Sequence, residues 1–220
     1  MANPLHLPSL QLPHAPASLA AGPGNADWPA IPVLPPLLLA DGSQPAGQQT
    51  SVRACADARA LYVRFDCDDR DIWATYTRRD QPIYDEEVVE LFIAPGIATP
   101  TSYYEIEVSP DGVLFDARIE NPTGLRADIT VDTSWDCPGI VWQAGRDDQA
   151  GRWWAVLVLP WQSIAGSEAP PREWRANFYR IERPRDGQPE YSCWSPTMTE
   201  PADFHKPAYF GLLERPVGER

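Results

Sequence analysis

The chain has 220 residues, with 31 Asp plus Glu against 18 Lys plus Arg, which sets a formal net charge of −13. That excess argues against nucleic acid and anionic membrane surfaces as partners, since both select basic patches, and no apolar run reaches the roughly 18 residues of a membrane span. The length allows one large all-β domain or two small ones, with a sizeable core.

Residues 1–49 are rich in Pro, Ala, Gly and Leu and hold Asp27 and Asp41 but no Lys or Arg. Proline, at 25 of 220 residues, is about twice its usual share of roughly 5%. This composition predicts an extended Pro-rich extension wrapping the domain, with Trp28, Ile31, Val33 and the leucines at 37–39 as anchors. Residues 1–19 lack the basic and apolar regions of a secretory signal. The expectation is a cytoplasmic chain unless it is a processed or trimmed form.

From residue 50 the text changes to short alternating strands punctuated by turns. Residues 51–56 and 61–67 read as a hairpin about Asp57, Ala58 and Arg59, with Leu61, Val63 and Phe65 on one face. Segments 86–94, 103–109 and 113–117 continue the pattern, and Pro110-Asp111-Gly112 supplies a turn. Residues 153–159 are apolar on both faces and read as a central strand, followed by a helical turn at 161–165. Segments 174–183 and 209–214 close the domain. Strand spacings of about 8–12 residues with no sustained 3.6 period predict an all-β, two-layer antiparallel β-sandwich, jelly-roll-like.

Parity then sorts the side chains. Val89, Leu91 and Ile93 share one face, which turns Glu90 to the other. Tyr104, Ile106 and Val108 face the core, leaving Glu105 and Glu107 opposite. Trp174, Ala176 and Phe178 are the inward set of their strand, and Asn177 and Tyr179 turn outward. Carboxylate, amide and phenol groups on one sheet face suit a polyhydroxylated ligand, because carboxylates accept paired hydrogen bonds from vicinal hydroxyls. An ordinary solvated strand face is the competing reading.

Two aromatic loops flank this face. One runs from Asp80 through Tyr84 into the Val-Glu-Leu-Phe strand. The other packs Trp194, Phe204, His205 and Phe210 between Pro196, Pro201 and Pro207. Rigid aromatics on a proline-stiffened loop suit stacking on a flat ligand face, and the prolines predict a loop ordered before any ligand arrives. His205 reads as a loop-tying residue, a ligand contact or a metal ligand. Asp66, Asp68, Asp69 and Asp71 cluster at a strand end, with Asp69 and Asp71 as candidate calcium ligands, although the spacing is not that of an EF-hand. A solvated acidic turn is the alternative. No cofactor is expected beyond such a structural Ca²⁺. Cys55, Cys67, Cys137 and Cys193 contain no close pair and read as buried free thiols.

Taken in order, residues 61–65 with Asp69, 80–92, 103–108, 177–180 and 194–211 resemble the family 9 carbohydrate-binding modules and, more closely, their bacterial relatives in the DOMON-like superfamily. The resemblance covers roughly residues 50–214, so a module is assigned to residues 50–215. It implies a β-sandwich that binds carbohydrate without catalysis, a terminal sugar unit being held between two aromatic loops. Two tryptophans clamp the sugar in such modules, and their positions fall here on Tyr84 and Phe204. The strand carboxylate falls on Glu90, and the next strand's polar pair falls on Glu105 and Glu107, where a basic residue and an amide are expected. The acidic departure implies a different sugar, an amine-bearing one or a metal-bridged one. With Asn177 and His205 these residues form the candidate carbohydrate site.

Two alternatives stand beside it: a structural or envelope-associated interaction module that has lost the sugar, and a glycoside-processing enzyme. Hydrolysis of a glycosidic bond needs two carboxyl groups about 5–9.5 Å apart. Glu105 and Glu107, at i and i+2 on a strand, are about 7 Å apart along the backbone, but strand faces carry such pairs routinely. Haem through Met198 and His205 is disfavoured, since one short loop carries both. The sequence leaves the oligomeric state open.

Overall fold

The computed structural model describes residues 6–20, 22, 24, 27–166 and 169–216; the first five residues of the segment read for a secretory signal lie outside these. In chain order the strands are β1 (Ser9–Gln11), β2 (Leu38–Leu39), β3 (Thr50–Ala56), β4 (Ala60–Asp68), β5 (Val88–Pro95), β6 (Ser102–Val108) and β7 (Leu114–Glu120). They continue with β8 (Thr130–Asp132), β9 (Val141–Asp147), β10 (Arg152–Pro160), β11 (Glu173–Glu182), β12 (Glu190–Cys193) and β13 (Gly211–Glu214). The larger sheet runs β1-β13-β11-β5-β6-β7-β8, with β12 and β2 added beside the second half of β11. The smaller runs β3-β4-β10-β9. Apart from the parallel pair β1–β13, all pairings are antiparallel. This is the two-layer antiparallel sandwich that the strand pattern predicts. No helix among the described residues is long and apolar enough to cross a membrane.

Alternation dictates the core. Val89, Leu91 and Ile93 of β5, Ile106 and Val108 of β6, and Ala176 and Phe178 of β11 share one buried cluster with Leu61, Val63 and Phe65 of β4. Phe65 meets Phe178 edge-on across the layers, 6.1 Å between ring centres. The central position of β10 explains its apolar character on both faces: it lies between β4 and β9 with Ala155 and Leu157 inward and Val156 outward. Over that outer face the N-terminal segment lays Leu19, Trp28 and Ile31 against Cys55, Tyr62 and Val156. Its backbone ties to sheet edges through Leu12 N–H to the Glu214 carbonyl (2.9 Å), Ala15 to Ala56 (2.8 Å) and Leu34 to Val52 (2.8 Å). Proline removes donors and stiffens φ, so such a segment follows an edge without becoming a full strand. All four cysteines are free and buried.

Strand β9 was not legible as a strand because Gly145 and Arg146 interrupt its apolar alternation. Gly145 is cross-strand to Trp154, and a Cβ there would meet the indole at 2.8 Å. The glycine lets the ring lie over the sheet, where the Arg64 guanidinium sits 5.0 Å from its centre.

The unexpected feature is the far face of the larger sheet. It is buried as well, beneath loops rather than a third sheet: Val88, Phe92, Tyr179 and Ile181 form a second cluster with Ile83, Phe204 and Phe210. The solvated-face reading therefore fails for β5, β6 and β11, because loops remote in sequence cover them.

A polar network bolts one end of the sandwich. Arg180 of β11 and Asp69, just after β4, are both fully buried, with Nη2 2.9 Å from Oδ2. The same oxygen accepts from Trp153 Nε1 at 3.0 Å. Removing one partner of such a pair leaves an unpaired buried charge, so Asp69→Ala should cost about 3–5 kcal/mol. Asp71, in a more exposed pair with Arg185, should cost under about 1 kcal/mol when replaced by Ala. Chemical denaturation of the two variants checks the contrast; equal losses would contradict this account.

Candidate functional site

The covering loops leave a gap over the larger sheet, a cavity of about 510 Å³. Glu90, Glu105 and Glu107 line it from β5 and β6, Tyr84 from the turn Ile83–Asp85, and Phe204 and His205 from the last loop. Strand register explains the floor. Glu90 is directly opposite Glu107, and Glu105 lies opposite Phe92, all on the same sheet face.

The two aromatics differ in role. Tyr84 is 41% exposed and rests edge-on against Phe115 at 5.5 Å. Phe204 is only 7% exposed and lies flat on Tyr179, with ring centres 4.2 Å apart. Tyr84 is an open wall, whereas Phe204 presents the margin of a ring built into the second cluster.

His205 is held on all sides. Its Nδ1 is 2.8 Å from the Tyr103 hydroxyl, its N–H donates to Asp203 Oδ1 at 3.1 Å, and its carbonyl accepts from Asn121 Nδ2 at 3.2 Å. Burial, aided by Arg126, holds its pKa down to about 4, so the ring is neutral at pH 7. Loop tying and cavity lining thus coexist in one residue.

Asn177 is corrected. It is fully buried and lies outside the cavity lining. Its Nδ2 donates to the Ser195 carbonyl at 2.7 Å, and its Oδ1 accepts from Ser195 N–H at 2.9 Å. The amide pins the start of the aromatic loop to β11. Further ties run from Trp194 N–H to the Phe178 carbonyl (2.9 Å), from Met198 N–H to Ala40 (2.7 Å) and from the Tyr179 hydroxyl to the Phe204 carbonyl (3.1 Å).

The calcium candidates are separated. Asp71 pairs with Arg185, Asp68 with Arg152, and Asp66 with Arg53 and Arg64. Asp69 turns inward instead and groups with Glu87 and Glu182, beside Arg180. Arg180 takes Asp69 within this cluster, so the spacing of four aspartates in the sequence does not make a common ligand set.

Phe92 and Phe115 also line the cavity but were missed. Phe92 has the parity of Glu90, so alternation held the signal. Phe115 lies opposite Glu107, which only register reveals. Arg126, from an irregular segment, carried no readable signal.

The three floor carboxyls are buried, and one oxygen from each lies within 4.8 Å of the others. Burial pushes Glu105 up to about 7. Burial and neighbouring glutamates raise Glu90 and Glu107 well above the usual range. Burial likewise lifts Glu87 to about 9. Raised carboxyl pKa values mean that folding takes up protons, so this stability is present at low pH and lost as pH rises from about 4.5 through 7 and beyond. His205 acts oppositely: its stabilisation is lost as pH falls from 6.5 toward about 4. The ligand-free protein should therefore be more stable at pH 5.5 than at pH 8.5, by on the order of 1–3 kcal/mol, and melt at a higher temperature there. Calorimetry across that range checks the sign; a melting temperature that climbs toward pH 8.5 would contradict it.

A family model described as carbohydrate-binding family 9 matches residues 44–215. A relative from Arthroderma benhamiae named "Extracellular protein" is 28% identical over 171 residues, covering 74% of this chain and 76% of its own. A crystal structure of a Bacteroides uniformis protein, described as carbohydrate-binding, aligns with a TM-score of 0.75 at 19% identity, over 94% of this chain and 99% of that one. A family 9 module from Caldicellulosiruptor kristjanssonii in complex with glucose aligns with a TM-score of 0.63 at 13% identity, over 97% of each chain. Its complex with cellotriose gives 0.61 at 13% identity, over 97% and 95%.

Proposed function

Because this chain belongs to carbohydrate-binding family 9, we propose that its cavity is a non-catalytic carbohydrate site that takes the terminal unit of a glycan. The observation that carries the reading is the joining of an open aromatic wall, Tyr84, with a buried polar floor in one cavity of about 510 Å³. That size falls within the usual range for small-molecule sites, roughly 300–1,000 Å³. The sheet closes the cavity behind the carboxylates, so a chain end inserts and the ring lies along Tyr84. The glucose and cellotriose complexes of the Caldicellulosiruptor module support the ligand class. A family of non-catalytic modules supports binding over hydrolysis. A purely structural module would bury both aromatics. Phe204 fits that description, and Tyr84 does not.

The loop is organised before ligand arrives, since its backbone is tied to β11 and to Ala40. Binding then avoids most of the ordering cost that a flexible loop would add, which suits weak ligands such as single sugars.

Calorimetric titration of a panel of mono- and oligosaccharides tests the assignment. For whichever sugar binds, Tyr84→Ala should weaken it by about 1–3 kcal/mol with little change in melting. Phe204→Ala should instead destabilise the fold by about 3–5 kcal/mol, as loss of a packed aromatic does. Unchanged affinity in Tyr84→Ala removes the aromatic wall from the site.

A further inference from the structure

The floor of the cavity has a charge problem that the protein does not solve by itself. Glu90, Glu105 and Glu107 are 2%, 6% and 0% exposed, and one oxygen from each lies within 4.8 Å of the others. Among the described residues no N–H group reaches either oxygen of Glu107, whose hydrogen-bonding neighbour is the Glu105 carboxyl. Glu105 and Glu107 can satisfy one another only by sharing a proton. Two guanidiniums are on the lining: Arg126 has a side chain 69% exposed and reaches out to Asp203 at 3.3 Å, and half-buried Arg183 donates from Nη2 to the Tyr191 hydroxyl at 2.9 Å. Both are turned to partners other than the three glutamates, and buried acids without a paired cation are costly to ionise. A ligand that brings positive charge relieves that cost, and a neutral one does not.

The surroundings decide which cation. A hard divalent ion takes six to eight oxygen ligands, but here Phe92, Phe115 and Phe204 fill much of the wall and offer none. A primary ammonium needs only three acceptors, and aromatic faces attract it. Three N–H···O bonds of about 2.8 Å set at tetrahedral angles place their acceptors about 4.6 Å apart, a separation that oxygens all within 4.8 Å of one another can accommodate. Tyr84 remains free to stack on the sugar ring that carries the amine.

We propose that this site selects sugars bearing a free primary amine, of the glucosamine class, with the ammonium seated among Glu90, Glu105 and Glu107. The inference rests on the carbohydrate reading and deepens it. N-acetylation removes the charge and adds bulk where the carboxylates crowd, so acetylated units lose the advantage.

The test is calorimetry on the full chain at pH 7 and constant ionic strength, with glucosamine, glucose and N-acetylglucosamine titrated separately and calcium chloride titrated alone. Glucosamine should bind at least about tenfold tighter than glucose, as expected for a desolvated charge-assisted contact beside aromatics, and N-acetylglucosamine no tighter than glucose. Glucose binding as well as or better than glucosamine overturns the amine selectivity and leaves the carbohydrate site standing. If no sugar binds, both readings fall. A saturable calcium isotherm abolished in Glu107→Gln assigns the carboxylates to a metal and overturns the proposal. Glu107→Gln is nearly isosteric and removes a carboxyl without an N–H donor, so it should melt at or above the wild-type temperature while losing the preference for glucosamine. Lower melting with the preference intact would make Glu107 structural and sink its place in the site.

Discussion

The centre of the larger sheet, β5, β6 and β11, is buried on both faces, and the rest of the molecule follows from that constraint. One face packs on the smaller sheet through ordinary strand alternation. The other has no partner sheet and is closed by irregular chain from residues 76–85 and 194–210. Every buried residue of β5, β6 and β11 must therefore be apolar, paired or part of a site. Two packed layers would ordinarily leave an antiparallel sheet with one wet face; here Phe92, Tyr179, Phe204 and Phe210 keep it dry except where the loops part. The cavity is that parting.

Irregular chain can hold such a position only if its backbone polar groups are satisfied. The last loop meets this need through side chains of the sheet it covers. Asn177 bonds both the N–H and the carbonyl of Ser195, Tyr179 reaches the carbonyl of Phe204, and Asn121 that of His205. Polar residues on the dry face of a sheet are thus the attachment points of the cover, and this is why Asn177 resembles a ligand-binding residue in sequence and serves as an anchor in the fold.

Much of the sandwich was legible because alternation has a period of two and needs no long-range information. Val89 against Glu90, and Ile106 against Glu105 and Glu107, were sorted to opposite faces correctly. Parity cannot say what lies over a face, so the burial of those glutamates was invisible until residues 194–210 were placed above them. The same limit hid the roles of the loop aromatics: Tyr84 and Phe204 line one cavity, but only register and cover reveal that Phe204 stacks on Tyr179. Short or interrupted strands were lost for a different reason. β12 has four residues, and β9 carries Gly145 because Trp154 lies over it, so neither shows a local strand pattern. The aspartates at 66–71 failed as a ligand set because alternation turns Asp66 and Asp68 outward to arginines and Asp69 inward, while Asp71, beyond the strand, pairs with Arg185.

The two buried acidic clusters on this sheet make the final argument. Asp69, Glu87 and Glu182 crowd together at one end, and Glu90, Glu105 and Glu107 crowd together in the cavity. The first cluster surrounds Arg180, whose guanidinium also lies 5.7 Å from the Trp153 ring centre. It carries its own counter-charge and is closed, so stability is a sufficient reason for its existence. The second opens onto a cavity, leaves both oxygens of Glu107 without an N–H donor among the described residues, and has its lining arginines, Arg126 and Arg183, turned to Asp203 and Tyr191. Internal packing gives no reason to assemble three carboxyl groups there, because apolar residues in their place would cost less to bury. One fold thus solves the same electrostatic problem twice. At one end an arginine of the chain supplies the positive charge, and in the cavity that place falls to something from outside.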